Sequence, residues 1–111
     1  MSDCLFCKIA AGEIPGDIVY QDERMVVFKD IAPKARVHLL AIPREHIESL
    51  NGLNEGHDAL IAHMMRQLPD LAKAQGLESG YRTIINTGPG GGQVVFHLHI
   101  HLLGGTGLPG F

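Results

Sequence analysis

The stretch His97-Leu98-His99-Ile100-His101 decides how the rest of this chain is interpreted. Imidazoles alternate with branched apolar side chains, and a period of two is typical of a β-strand. On such a strand the three histidines point to one face, with about 7 Å between neighbours. The opposite face is then predicted to be an apolar row against the core, formed by Val94, Phe96, Leu98, Ile100 and Leu102. A histidine face of this kind supplies groups that attack, exchange protons or bind metal near neutral pH.

The composition predicts a single globular domain over residues 1–111, since 111 residues with 45% hydrophobic content are enough for one core. The formal net charge of −3 provides no basic field for nucleic acid, so no nucleic-acid partner is expected. The chain has no apolar run of about 18 residues and no signal-peptide pattern, so we expect no membrane partner and a cytoplasmic location.

Apolar periodicity predicts an α+β fold built on an antiparallel, five-stranded sheet. The expected strands are Ile18–Tyr20, Met25–Phe28, Val37–Ile42, Tyr81–Asn86 and a fifth from about Gln93 to Leu103. These segments are joined mainly by turns, which favours antiparallel pairing.

One long helix is predicted from Asn54 to Gln75, where apolar residues follow a period of 3.6. Asn54 is a suitable N-cap, Gly76 is suitable just after the C-terminus, and Pro69 is expected to kink or restart the helix. A short N-terminal helix is predicted over Cys4–Ala11.

Three explanations of the histidine strand compete: buried structural histidines, a metal site and nucleophilic catalysis. A neutral imidazole nitrogen attacks phosphorus or a carbonyl, and the middle residue, His99, is the best placed to do so. His97 and His101 then orient it, bind an anion or protonate a leaving group. The glycine loop before the strand favours phosphorus, because its backbone N–H groups suit phosphate, with Asn86 and Gln93 as neutral donors at its ends.

The segment His97–Leu103 resembles the signature of the histidine triad family, in which three histidines alternate with apolar residues. Segments 4–9, 28–33, 38–43 and 91–93 resemble the Hint branch of that family in the same order, and the similarity runs from Cys4 to Gly105. The resemblance implies a homodimer whose two sheets form one ten-stranded sheet. It also implies hydrolysis of purine nucleoside phosphoramidates or related conjugates at the α-phosphate, through a nucleotidyl intermediate on His99.

The same resemblance implies roles for individual positions. Asp30 matches the residue that binds the ribose hydroxyls, and His38 matches an additional histidine beside the active site. Val94 stands where many Hint members carry a hydroxyl side chain. The candidate catalytic residues are His38, His97, His99 and His101. The candidate substrate-binding residues are Phe28, Asp30, Ile31, Asn86, Gly92, Gln93, Val94, His99 and His101.

The pair Cys4-x-x-Cys7 is half of a zinc site, which needs two further ligands. Some triad proteins and related uridylyltransferases bind zinc through two cysteines and two histidines, and the resemblance places the remaining ligands at His46 and His97. The expected zinc is structural. The chain has neither a P-loop pattern nor a carboxylate cluster for magnesium, so catalysis is expected to need no divalent ion.

Alternative functions follow from the same residues. A dinucleoside polyphosphate hydrolase would use the same nucleophile on a different substrate. A non-catalytic nucleotide-binding or scaffolding protein would bind nucleotide without turnover. A zinc hydrolase would use all three triad histidines as metal ligands and would lose activity with its metal.

Overall fold

The computed structural model describes residues 3–110 and confirms the α+β class with a five-stranded antiparallel sheet. The strands are β1 (Ile18–Gln21), β2 (Met25–Lys29), β3 (Val37–Pro43), β4 (Arg82–Ile84) and β5 (Ile100–Gly104), and their order in the sheet is β1-β2-β3-β5-β4. The helices are α1 (Leu5–Ala10) and α2 (Asp58–Ala74). Short 3₁₀ turns lie at Leu50–Gly52, Glu55–His57 and Pro89–Gly91.

The long helix follows its predicted limits closely. Asn54 caps the 3₁₀ turn that leads directly into α2, and its side chain accepts from the N–H of Gly56. Gly76 follows the helix with φ of +78°, a conformation that glycine adopts without steric cost. Pro69 lies inside α2, which continues through it, so the expected restart of the helix is wrong.

Each face of the sheet packs against a different helix. In one cluster, apolar residues of α2 such as Met64 pack against side chains of the sheet such as Leu39 and Ile100. The other cluster lies on the opposite face and includes Phe6 of α1 with Phe28. Every residue of β3 is therefore buried, which explains why its sequence is an almost continuous apolar run.

The fifth strand is shorter than predicted. It begins at Ile100, so His97 and His99 lie in the irregular segment before it and only His101 belongs to the strand. Val94 is 83% exposed and Phe96 is 44% exposed, so the apolar row breaks down at its start.

The reason is that the backbone before Ile100 finds other hydrogen-bond partners. The N–H of Leu98 donates to the carbonyl of Ile47, and the N–H of Gln93 donates to that of Gly88. A hydrophobic pattern records which side chains are buried, but it does not record where the backbone hydrogen bonds go.

Within residues 3–110, no helix combines the length and the apolar character needed to cross a bilayer.

The turn between β1 and β2 is fastened to α2 by the carboxylate of Asp22. It accepts from the Tyr20 hydroxyl at 2.6 Å and contacts His63 Nε2 at 2.7 Å. Burial opposes its ionisation. These two side chains and the backbone N–H groups of Arg24 and Met25 outweigh that effect and hold the pKa of Asp22 well below its usual range.

We predict that Asp22→Asn lowers the free energy of unfolding at pH 7 by about 1–2 kcal/mol, since it weakens two charge-assisted contacts. Because the folded pKa is depressed, this stabilisation is present above the unfolded value of about 3.9 and is lost as the pH falls below it. Urea unfolding at pH 7 and at pH 3.5 measures both effects. The matched control is Asp17→Asn, whose carboxylate is exposed and lies 3.8 Å from Lys29 Nζ. Equal stability losses in the two variants would contradict the prediction.

Candidate functional site

A hydrogen bond to the backbone sets the tautomer of the His99 ring. Its Nδ1 lies 2.7 Å from the carbonyl oxygen of His97, which only accepts, so Nδ1 carries the proton. In the neutral ring Nε2 then keeps its lone pair. The side chain is buried among its neighbours but borders a cavity of about 390 Å³. This is the tautomer and the placement that a nucleophilic imidazole needs.

The cavity lies on the sheet face that α1 covers, and most of its wall is apolar. Six of the predicted site residues line it, namely Phe28, Asp30, Ile31, Val94, His99 and His101. The wall also contains residues for which the sequence analysis assigned no site role, including Leu5, Phe6, Ile9 and Lys34. Ile31 is fully exposed and Val94 is 83% exposed, so both lie at the mouth.

A chain of hydrogen bonds fixes His101. The backbone N–H of Lys34 donates to Nδ1 of His38 at 3.1 Å, so His38 carries its proton on Nε2. That nitrogen lies 2.9 Å from Nδ1 of His101 and donates to it. The neutral His101 ring therefore presents an N–H at Nε2. His38 does not line the cavity around His99, so it acts on the site by orienting His101.

The electrostatics keep His101 neutral. Burial, together with the neighbouring imidazoles of His99 and His38, lowers the pKa of His101 to about 4. Burial also lowers the pKa of His38, although the carboxylate of Asp30 opposes the shift. At neutral pH His101 is thus a hydrogen-bond donor through Nε2 and carries no positive charge.

Asp30 lies beside His38, at the end of the chain of hydrogen bonds that fixes His101, and it also lines the cavity. One carboxylate oxygen accepts from the N–H of Ala32 at 2.9 Å, and the other lies 3.4 Å from Nε2 of His38. The carboxylate thus has remaining acceptor capacity towards the cavity.

The glycine loop is organised differently from the prediction. The side-chain amide of Gln93 donates to the carbonyls of Glu48 and Val95, and its oxygen accepts from the N–H of Gly88. The amide of Asn86 donates to the carbonyl of Gly91. Both side chains therefore brace the loop, and neither they nor Gly92 line the cavity. The contacts expected between these amides and a phosphate stay a prediction.

A second cluster brings together Cys4, Cys7, His46 and His97, whose ligand atoms all lie within 4.8 Å of one another. Nδ1 of His97 is 3.3 Å from Sγ of Cys4, 3.4 Å from Sγ of Cys7 and 3.2 Å from Nδ1 of His46. Sγ of Cys7 is 3.3 Å from Nδ1 of His46. A tetrahedral zinc ion with ordinary Zn–S and Zn–N bonds would separate its ligand atoms by about 3.3–3.8 Å, so the donor set fits that ion.

The orientation of His97 also suits a metal ligand. Its Nε2 lies 2.8 Å from the carbonyl of Pro43 and donates to it, which leaves Nδ1 unprotonated and facing the cysteines. His97 is fully buried and does not line the cavity. The carbonyl of His97 orients His99, its side chain belongs to the cysteine cluster, and a catalytic role for His97 stays a prediction.

The three triad histidines do not form a joint metal site within residues 3–110. The metal-binding groupings there are the cysteine cluster and a second set made of Asp30, His38 and His101, and neither contains His99. The arrangement of the ligand atoms thus contradicts the zinc-hydrolase alternative with three triad ligands.

Comparison with known proteins agrees with the geometry. The family described as "Scavenger mRNA decapping enzyme C-term binding" matches residues 3–107. Protein HitA of Neisseria gonorrhoeae is 56% identical over 104 residues, which cover 94% of this chain and 97% of HitA. The chain belongs to the histidine triad family.

Two further relatives carry functional names. The purine nucleoside phosphoramidase of Escherichia coli is 43% identical over 107 residues, covering 96% of this chain and 90% of that enzyme. The crystal structure of a HIT family hydrolase from Legionella pneumophila superposes with a TM-score of 0.93 at 47% identity, covering 96% of each chain.

We predict that the His101 ring stays neutral, with its proton on Nε2, from pH 5.5 to pH 8, because its pKa is about 4. Two-dimensional NMR spectra that correlate the ring nitrogens and protons measure the tautomer and the titration. The variant His101→Asn identifies the resonance by its disappearance. A titration midpoint for this ring near 6.5 would show that the chain of hydrogen bonds does not operate in solution.

Proposed function

We propose that this protein is a nucleotide hydrolase that cleaves purine nucleoside phosphoramidates, or related nucleotidyl conjugates, through a covalent intermediate on His99. The observation that carries the proposal is the 2.7 Å hydrogen bond at Nδ1 of His99, which leaves the lone pair on Nε2 of a side chain that lines the cavity. Membership of the histidine triad family and the E. coli phosphoramidase at 43% identity support it.

The reaction has two displacements at phosphorus. Nε2 of His99 forms a bond to the α-phosphorus while the bond from phosphorus to the leaving group breaks. The Nε2–H of His101 donates a hydrogen bond to the leaving nitrogen, which takes up a proton from solvent water as its bond to phosphorus breaks. A single donor of this kind contributes about 10²–10³-fold. Water then attacks the same phosphorus, the bond from phosphorus to Nε2 breaks, and the proton that the water loses returns to solvent as the nucleoside monophosphate is released.

The remaining parts of the cavity suit a nucleoside. The carboxylate of Asp30 accepts hydrogen bonds from the two ribose hydroxyls, and the apolar wall around Phe28 covers the flat faces of the base. The chain provides no hydroxyl at Val94, so His101 is the donor assigned to the leaving group. Ile31 at the mouth is the apolar residue best placed to close over a bound base.

We predict that His99→Ala reduces turnover of adenosine phosphoramidate by at least about 10³-fold, because the two-step route requires this nucleophile. Acid-quenched wild-type protein should carry an added nucleotidyl mass in the mass spectrum, and the variant should not. The control His57→Ala removes a histidine that contacts Glu45 outside the cavity. Diadenosine polyphosphate, assayed in parallel, separates the two hydrolase classes. Binding of AMP with neither turnover nor adduct in the wild type would instead identify a nucleotide-binding protein.

We also propose that the cysteine cluster holds a structural zinc ion. The four donor atoms fit tetrahedral spacing, and the hydrogen bond from Nε2 of His97 to the carbonyl of Pro43 orients the ring with Nδ1 towards the cysteines, which supports this assignment. Bound there, the ion would tie the N-terminal segment to the loop after β3, which contains His46, and to the segment before β5, which contains His97. Catalysis at His99 uses none of these four side chains as a reacting group, so the chemical step is proposed to proceed without a catalytic divalent ion.

We predict one equivalent of zinc per chain after purification without chelators, and a fall of several degrees in the melting temperature when zinc is removed. Elemental analysis and differential scanning calorimetry measure the two quantities. Cys7→Ser should lose the metal, whereas Ser49→Ala, which removes a side-chain cap elsewhere, should keep it. Metal-free protein with an unchanged melting temperature after zinc addition would rule out the site.

We also propose a homodimer, which the resemblance to the histidine triad family implies. β1 and β4 form the two edges of the sheet, and each has a strand on one side only. An exposed strand edge is suited to pairing with a second copy, which would join two five-stranded sheets into one of ten strands.

A further inference from the structure

The short helix α1 belongs to two sites at once. Its N-cap residue Cys4 and its third residue Cys7 both contribute sulfur atoms to the cysteine cluster. Leu5 and Phe6, which lie between them, and Ile9, one turn further on, line the cavity beside His99. Whatever fixes the cysteines therefore also fixes one wall of the cavity.

Phe6 is the residue in which the two sites meet. Its ring centroid lies 5.1 Å from that of His99 and 6.1 Å from that of His97, both in edge-to-face arrangements. It also packs edge-to-face on Phe28 of the facing wall at 5.4 Å. The Phe6 side chain is buried, so any shift of α1 changes the shape of the cavity directly.

Apart from the cysteine cluster, α1 is held mainly by apolar packing, because Phe6 and Ile9 are buried against the sheet residues Val26, Phe28, Leu40 and Ile42. The segment before β1 pairs with no strand within the described residues, and a helix of six residues is not stable by itself. Its C-terminal end is fastened by the Arg44 guanidinium, which donates to the carbonyl of Ala10 at 2.8 Å. At the N-terminal end, the cysteine cluster is the anchor, together with the apolar packing of Phe6.

His99 is anchored in a different way. Nε2 of His97 donates to the carbonyl of Pro43, and the N–H of Leu98 donates to that of Ile47. Strand β5 begins directly after His99 at Ile100 and pairs with β3. These contacts need no metal, so they keep the nucleophile in register when the cysteine cluster is empty.

We propose that metal binding at the cysteine cluster controls nucleotide affinity by setting the position of α1, with Phe6 as the positioning residue that shapes the cavity wall. Loss of the metal loosens this wall and weakens binding, while the chemical step at His99 continues at nearly its full rate. The inference rests on the proposed function and on the proposed zinc site.

The test compares zinc-loaded protein with protein stripped by a chelator under reducing conditions, using AMP as the probe in isothermal titration calorimetry. Loss of a base-stacking wall typically weakens binding by roughly 5- to 100-fold, and we expect a loss in this range that zinc restores. Single-turnover rates at saturating adenosine phosphoramidate should stay within about threefold of each other. This separation of affinity from rate is a result that general destabilisation would not produce.

Three variants and a control keep the test decisive if stripping impairs folding, which circular dichroism would reveal. Phe6→Leu should retain a full equivalent of zinc yet bind AMP less tightly, and Phe6→Tyr should restore most of the affinity. Cys4→Ser combined with Cys7→Ser should bind AMP weakly with or without added zinc. His57→Ala, whose side chain contacts Glu45 outside the cavity, serves as the control with normal zinc dependence.

Equal AMP affinities for the loaded and stripped protein, with unchanged affinity in Phe6→Leu, would overturn this inference. A loss confined to the saturated rate would overturn it as well, because the metal would then act on His99. Failure of the loaded protein to bind AMP, or to form the nucleotidyl adduct, would instead count against the proposed function.

Discussion

The hydrogen bond from Nδ1 of His99 to the carbonyl of His97 is the interaction on which the site depends. It determines which ring nitrogen is protonated and leaves the other nitrogen with the lone pair that the proposed mechanism uses. The same hydrogen bond links the cysteine cluster to the cavity, because the side chain of His97 faces the cysteines while its carbonyl orients His99. A single residue thus takes part in both sites through different atoms.

The sheet makes this division possible by separating its two faces. The face towards α2 contains the main hydrophobic core, whereas the face towards α1 contains the cavity and the relay from His38 to His101. Each buried imidazole on this face has at least one hydrogen-bonded ring nitrogen, which offsets the cost of its burial. Among residues 3–110, every side-chain nitrogen or oxygen that is fully buried has a hydrogen-bond partner. The same burial lowers the pKa of His101 and keeps its ring neutral.

Much of the fold was predictable from periodicity. The helix from Asn54, the glycine after it and the apolar strand at Val37 follow local rules that depend on neighbouring residues in the sequence. The start of the fifth strand was not predictable in this way. Its first residues alternate as a strand does, but the backbone of Leu98 bonds to Ile47, which is distant in sequence.

The sequence by itself determined the family, the fold class and the types of chemical group available, because these depend on which residues are present and at what spacing. Only the tertiary structure decided the task of each group. Gln93 braces a loop, His38 orients His101, and Phe6 forms a wall beside His99. Such roles depend on contacts between segments far apart in the chain, where the hydrogen bonds and packing available to a side chain are set by the fold rather than by its neighbours in sequence.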